Sequence, residues 1–488
     1  MEEKSNLIIG IREKPGIGKG IILSFQHVFA MFGATVLVPI LTGIPVNTAL
    51  LASGIGTLIY ILCTGAKVPV YLGSSFAYIT AVIVAFGANA YKDGSPLPYT
   101  EFAEKANLAA VATALMCVGI VYIVVAIIIR LVGKNWLSKI LPPIVIGPMI
   151  AVIGLGLAST AVDMAGLNPG DANMNFQHVA IALIAMLATA LIAVHAKGFF
   201  KIVPIALGIL IGYLSAVAID LIFNRGGDTI VVGNLINIWK DIAAGNVFEL
   251  PPILLPLGEA RANVGPFRFY SLDFSVALAV IPLAFVTISE HIGDHTVLGK
   301  ICNRDFLQDP GLDKTLTGDG IATFIAGMIG GPANTTYGEN TGVVGLTKVG
   351  SVYVTGGAAI IAILMSFVKP IKDLINSIPV PVMGGISIIL FGFIAANGLR
   401  VIAEAKVDFD QIRNVIIAAV MLVLGIGGAV FKINEISSVS GMALAASAGI
   451  ILNLVLPEKS KKKAEVDKSD SLETVELDSA EANETDSE

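Results

Sequence analysis

Long runs of apolar residues alternate with short polar connections along the chain. About fourteen runs approach the ~20 residues that a membrane-crossing helix requires. They begin near Gly20, Asn47, Val68, Asn107, Leu141, His178, Ile202, Phe274, Thr315, Pro332, Ser351, Ile378, Ile412 and Val439. The pattern predicts an all-α polytopic membrane protein. An even number of spans places both termini on one side. Three stretches stand outside it: a polar N-terminal segment over 1–19, a long loop over 223–273 and a tail over 457–488. The tail is rich in Ser, Asp and Glu and has too few apolar residues to build a core, so disorder is expected there. No cleavable signal peptide is read from Met1–Lys19. Its charge is mixed, the apolar run behind it is too long, and no small-residue cleavage site follows.

Composition sharpens this reading. Hydrophobic residues make up 55% of the 488 positions and charged residues only 14%, with a mean hydropathy of +0.82. Soluble domains carry about 25% charge, so this chain cannot cover a water-facing surface and must turn much of itself to membrane lipids. The 51 glycines suit helices that approach closely in a bilayer. Three cysteines in no paired spacing (Cys63, Cys117 and Cys302) exclude a disulfide framework and a cysteine zinc site. No basic face exists for nucleic acid. The net charge of −6 comes from acids crowded into the tail. With the termini inside, most of the 31 Lys and Arg fall on the inside, which predicts cytoplasmic termini.

One apolar run repeats. Leu141–Ala158 reads LPPIVIGPMIAVIGLGLA and Ile378–Ala395 reads IPVPVMGGISIILFGFIA, with Gly147 and Gly384 at the same place. These are runs five and twelve, so the repeat unit is seven spans. An odd unit turns the second copy upside down, which predicts inverted-topology repeats over 20–222 and 274–456, a transporter architecture. Two interrupted segments stand at matching places in the two copies, Pro69–Tyr78 and Gly330–Gly342. Both are rich in Gly, Ser, Thr, Asn or Pro. Irregular backbone at membrane depth is tolerated only inside protein or beside a cavity, and half-helices fed by such segments present backbone N–H groups to a ligand.

Ionisable residues inside spans are costly and mark function. Glu290 and Asp294, in Ile288-Ser-Glu-His-Ile-Gly-Asp-His295, lie one helical turn apart and share a face. Glu339 sits in the second interrupted segment and His27 in the first span. A carboxylate withdrawn from water binds a proton more readily, and its two oxygens accept hydrogen bonds from the N–H groups of a small planar heterocycle. Phe76 and Tyr337, one in each interrupted segment, offer aromatic faces or pack between helices. His27 reads equally as a proton carrier or as a buried histidine satisfying a neighbour. His291 and His295 lack the order and company of a zinc site, and no cofactor is expected. Asn334-Thr-Thr is formally a glycosylation sequon, but at membrane depth it is inaccessible.

At these residues the sequence resembles the nucleobase–ascorbate transporter family, also called nucleobase–cation symporters of the second type. The family signature is matched by Glu339-Asn-Thr-Gly-Val-Val-Gly-Leu-Thr-Lys348, the Gln-His of its first span by Gln26-His27, and its acidic span-eight motif by Glu290-His-Ile-Gly-Asp294. The resemblance runs from about Ser24 to Leu456. Within the family, Gln26–Pro39, Tyr71–Ala77 and Asn334–Asn340 look most like the bacterial uracil-carrying branch; Glu339 points the same way, since purine carriers more often place Gln there. The resemblance implies fourteen spans in two inverted repeats. Spans one to four and eight to eleven form a core, the other six a gate, and short antiparallel strands in spans three and ten cross behind the ligand.

It also implies proton-coupled uracil import across a bacterial plasma membrane, with a homodimer through the gate domain as one compatible assembly. By resemblance, Glu290 and Glu339 hold the pyrimidine, Phe76 packs on its ring, and the backbone around Tyr337 and Gly338 contributes. Proton coupling falls on Glu290, Asp294 and His27. One departure stands out: the family's best-described uracil carrier has His where this chain has Asp294. Three other readings compete: a xanthine or urate carrier, disfavoured by Glu339; an anion exchanger or channel of the same architecture, disfavoured by acids without mid-span cations; and an intramembrane enzyme, which no motif supports.

Overall fold

The computed structural model describes residues 7–92, 95–167, 174–201, 203–223, 229–258, 264–432 and 438–457. The tail expected to be disordered lies outside the described residues apart from Pro457, as do residues 1–6 of the N-terminal segment.

The chain is mostly helical, and helix fills each of the apolar runs. Eight helices among the described residues are long and apolar enough to cross a membrane by length and composition: Ile17–Thr42, Val46–Cys63, Leu108–Val132, Pro143–Met164, Phe176–His195, Pro204–Phe223, Ala277–Cys302 and Val380–Glu404. Shorter apolar helices cover Phe76–Phe86, Val352–Ser366, Ile412–Ile426 and Gly441–Val455. Two more polar helices, Leu312–Met328 and Gly338–Thr347, complete the set. Large apolar side chains such as Leu131, Leu187, Leu191 and Val423 stay exposed on the outer faces. In water that would be costly; against hydrocarbon it is not.

Small residues bring the helices together. Cβ atoms added at Gly119 and Gly320 would strike the facing backbones of Leu312–Met328 and Leu108–Val132. The two glycines of the sequence repeat both lie at close helix contacts. A Cβ on Gly147 would sit 2.3 Å from Ile402, and one on Gly384 would sit 2.3 Å from the Ala165 nitrogen. Gly147 lets Pro143–Leu155 approach Val380–Glu404, and Gly384 lets Val380–Glu404 approach the end of Ala158–Met164. The first helix ends through Gly43, whose φ of +82° lets its N–H reach the Pro39 carbonyl. The Phe102 ring closes over Gly43, at 2.4 Å from where a Cβ would stand.

The interrupted segments form a fully buried strand pair. Leu72–Ser74 runs antiparallel to Asn334–Thr336, with Leu72 opposite Thr336 and Ser74 opposite Asn334. Three residues per strand leave backbone groups that need other partners. The helix Val46–Cys63 supplies them: Ser53 Oγ donates to the Leu72 carbonyl at 2.7 Å, and Leu72 N–H donates to Thr57 Oγ1 at 2.9 Å. Asn334 Nδ2 donates to the Ala52 carbonyl at 3.1 Å, so the Asn of the formal sequon is spent inside the fold.

The long loop of 223–273 is structured in its described parts. It holds an amphipathic helix, Val232–Ala243, and a parallel strand pair, Ile253–Leu255 with Phe267–Phe269. The N-terminal segment also folds back: Ile9 pairs with Val349, and Ser351 Oγ donates to the Glu13 carbonyl at 2.6 Å.

Candidate functional site

The strand pair ends at a cavity of about 380 Å³. Six residues singled out from the sequence line it: Phe76, Glu290, Asp294, Tyr337, Gly338 and Glu339. Its other wall comes from the helices carrying Ile150, Leu390, Phe393 and Asn397.

Each side chain is placed by a local rule. Glu290 and Asp294 occupy successive turns of Leu283–Cys302 and face the strand Asn334–Thr336. Thr336 Oγ1 donates to Asp294 Oδ2 at 2.7 Å, and Thr335 Oγ1 reaches Glu290 Oε2 at a longer 3.4 Å. The strand therefore orients both acids, and Asp294 the more tightly. Glu339 lies in the first turn of Gly338–Thr347, where the helix dipole favours a negative charge. Its carboxylate accepts from its own backbone N–H and from no other protein group among the described residues. Phe76 opens the short helix leading into Ile79–Phe86 and meets the Phe391 ring edge-on at 5.8 Å.

Tyr337 is arranged differently from what its residue type suggests. Its hydroxyl donates to the Ser74 carbonyl at 3.0 Å and accepts from Thr35 Oγ1 at 3.1 Å. Its ring covers Gly73, leaving 2.3 Å where a Cβ would stand. The side chain braces the strand pair, so the cavity receives the backbone of this stretch. His27 does not line the cavity. It is buried, and Asn340 Nδ2 donates both to its Nδ1 at 3.1 Å and to its carbonyl at 3.0 Å. It stands one residue from Glu339 through Asn340, as a partner of the half-helix.

Glu290, Asp294 and Glu339 are not the only acids withdrawn from water. Asp220 and Asp319 are buried as well. Asp319 Oδ2 pairs with His291 Nδ1 at 2.9 Å, both side chains fully buried. His295 stacks on His291 with ring centroids 4.0 Å apart. The partners assign its tautomer: Nδ1–H donates to the His291 carbonyl at 2.7 Å, and Nε2 accepts from the Tyr60 hydroxyl. Asp319 Oδ1 and His291 Nε2 have no partner among the described residues. The signal was present in the sequence, as a lone acid between Gly318 and Gly320 deep in a Thr-rich helix. Asp220 instead accepts three backbone N–H groups at the start of Val232–Ala243. Among the described residues no group of three or more His, Cys, Asp or Glu is placed to hold a metal.

A permease-family model matches residues 18–433. The chain belongs to the nucleobase–ascorbate transporter family. It is 46% identical over 450 residues to a uracil permease of Bacillus caldolyticus, covering 92% of this chain and 95% of that protein. It is 40% identical over 466 residues to a uracil permease of Bacillus subtilis, covering 95% and 98%. Among solved structures it resembles SLC26A9 at a TM-score of 0.62 and 13% identity, covering 90% of this chain and 65% of that one. It also resembles the transmembrane domain of the cyanobacterial bicarbonate transporter BicA at 0.53 and 13%, covering 89% and 96%. Those two likenesses are of fold alone. Membership makes the chain a multi-pass membrane transporter and removes the enzyme reading.

Proposed function

We propose that this permease imports uracil by proton-coupled alternating access. The observation that carries the reading is the pairing of close identity to uracil permeases along nearly the whole chain with a cavity into which three carboxylates, Glu290, Asp294 and Glu339, converge. Uracil is neutral, with two N–H donors and two carbonyls. Glu290 and Glu339 accept from the N–H groups, and the backbone N–H of Gly338 at a helix start suits a carbonyl. Phe76 packs on the ring. An anion would meet Glu290, Asp294 and Glu339 with repulsion, although Arg400 lines the end of the cavity; the anion-exchanger reading is therefore the weaker one. A xanthine or urate carrier is disfavoured by Glu339.

In this reading the fourteen helical runs cross the membrane as inverted repeats over 20–222 and 274–456. Spans one to four and eight to eleven form the core, the rest the gate. Both termini are cytoplasmic, 223–273 is extracellular and 457–488 is a cytoplasmic tail. A proton travels with uracil on Glu290, with Asp294 one turn away and His27 behind Asn340. Lipids cover the exposed apolar faces, and copies of the chain pair through the gate domain.

The test is uptake of labelled uracil into proteoliposomes with and without an inward proton gradient. Accumulation that needs the gradient supports the reading. Accumulation unaffected by collapsing it removes the proton, and absence of uptake removes uracil.

A further inference from the structure

The segment between Val232 and Leu255 is fastened at three places. At its start, Asp220 in the last turn of Pro204–Phe223 accepts from the N–H groups of Ile230, Val231 and Val232 at 2.8, 2.6 and 3.0 Å. In its middle it pairs with the chain entering helix Lys369–Asn376. Lys369 N–H donates to the Val247 carbonyl at 2.9 Å and Glu249 N–H to the Phe367 carbonyl at 3.0 Å, with Phe248 opposite Val368. Lys369 Nζ binds both Asp241 and Asp373, and Lys372 Nζ binds Glu249. At its end, Thr48 Oγ1 donates to the Pro252 carbonyl at 2.7 Å and Leu254 N–H to the Ile329 carbonyl at 3.1 Å. The Leu254 side chain lies on Gly330, whose φ of +80° and 2.6 Å clearance admit only glycine. One stretch thus joins the helix Pro204–Phe223 to the helices Val46–Cys63 and Leu312–Met328, and to the turn that feeds the strand Asn334–Thr336.

These fastenings lie opposite the open end of the cavity. The cavity runs from Glu290 toward Ile301, Arg400 and Glu404, late in their helices, where Val297 and Glu404 are exposed. The Lys67–Asp309 ion pair ties the end of Val46–Cys63 to the connection after Cys302, so Thr48, at the other end of that helix, and Ile329 lie on the far side. We propose that residues 232–255 are a latch that seals this far side while the cavity is open at the other, and that must release before the cavity opens there. The inference rests on the alternating-access reading above. Its fastenings are of a releasable kind. A crevice of about 310 Å³ lined by Asn234, Asn237, Asp241, Lys369, Asp373 and Asn376 borders the Lys369 ion pairs, and ion pairs open to water hold weakly. Gly245, at φ +83°, forms the bend between helix and paired strand.

Phe248 and Val368 are a non-hydrogen-bonded antiparallel pair, whose Cα atoms stand about 4.5 Å apart, within disulfide range. The experiment is the double variant F248C/V368C in a background with Cys63, Cys117 and Cys302 changed to alanine, reconstituted into proteoliposomes. Reduced protein should exchange internal for external uracil at the background rate. Oxidised protein should fall at least tenfold and recover with dithiothreitol. Fully cross-linked protein that exchanges at the reduced rate overturns the latch, whereas a background protein that moves no uracil overturns the functional reading instead. An independent measurement uses L254C in the same background, labelled by a membrane-impermeant maleimide from the latch side. Removing the Lys369 and Lys372 ion pairs with K369Q/K372Q should speed labelling at least threefold, and unchanged labelling overturns the proposal.

Discussion

Replacing Glu339 with Gln separates recognition from stability. Apart from its own backbone N–H, the Glu339 carboxylate accepts from no protein group among the described residues, so the substitution breaks no tertiary contact. Gln keeps the length and one acceptor oxygen and exchanges the other for an NH₂ donor facing a uracil N–H. The charge lost from a first helical turn costs about 0.3–1 kcal/mol of stability, a shift in Tm of at most a few degrees for a protein of this size. The charge-assisted bond to ligand is worth about 1.5–3 kcal/mol, or roughly 10- to 150-fold in Kd. Asp at this position keeps the charge but withdraws it by one methylene, and should fall between wild type and E339Q. Calorimetric titration of uracil into purified protein gives Kd, and thermal melting in the same detergent gives Tm. A Kd for E339Q equal to wild type, with the melting point also unchanged, would refute the contact. A melting point lower by ten degrees would mean that the carboxylate serves the fold.

Phe76→Ala should weaken uracil binding by about 1–3 kcal/mol, the scale of aromatic–base stacking, in a protein that still folds because the ring borders an existing cavity; an unchanged Kd in folded F76A would make Phe76 a packing residue only. Glu290→Gln should abolish accumulation under a proton gradient while exchange of internal for external uracil continues, and gradient-driven accumulation by E290Q would move the proton to Asp294 or His27. Asp319→Ala leaves His291 Nδ1 without its partner in a dry site and should cost about 1–3 kcal/mol, as an unpaired buried polar group does, seen as a lowered melting temperature; D319A melting like wild type would remove the pair from the account of stability. The Lys369 hydrogen bond holds the Asp241 carboxyl below its ordinary 3.8, so its contribution is present above that value and lost only as pH falls further. Asp241 and Asp373 hold the Lys369 ammonium above its ordinary 10.5, so its contribution persists below that value and is lost only as pH rises further. K369Q should therefore leave the shape of the uptake-against-pH curve between pH 5 and 8 unchanged, and a displaced curve would contradict both assignments.

Much of the molecule was legible because it rests on local regularities. Apolar runs of helical length announce themselves residue by residue, since hydrocarbon forces each segment to satisfy its own backbone. The shared face of Glu290 and Asp294 follows from their spacing of one helical turn. Gly- and Thr-rich interruptions marked 69–78 and 330–342 as irregular backbone, and the strands Leu72–Ser74 and Asn334–Thr336 lie inside them.

What the chain alone left undecided is which distant groups become partners. By residue type Tyr337 offers an aromatic face or packs between helices, and in the fold Ser74 and Thr35 take its hydroxyl. His27 carried two equal readings, and Asn340 now occupies its Nδ1. No spacing rule pairs Asp319 with His291, and none in the loop after Phe223 sets Leu254 on Gly330. Hydrophobic patterning determines that a segment is helical and which environment it needs, because burial is set by each residue's own surface. A buried hydroxyl, imidazole or carboxylate takes whatever partner the packed helices bring within about 3 Å. That choice is made between residues tens to hundreds of positions apart, and only the assembled bundle determines it.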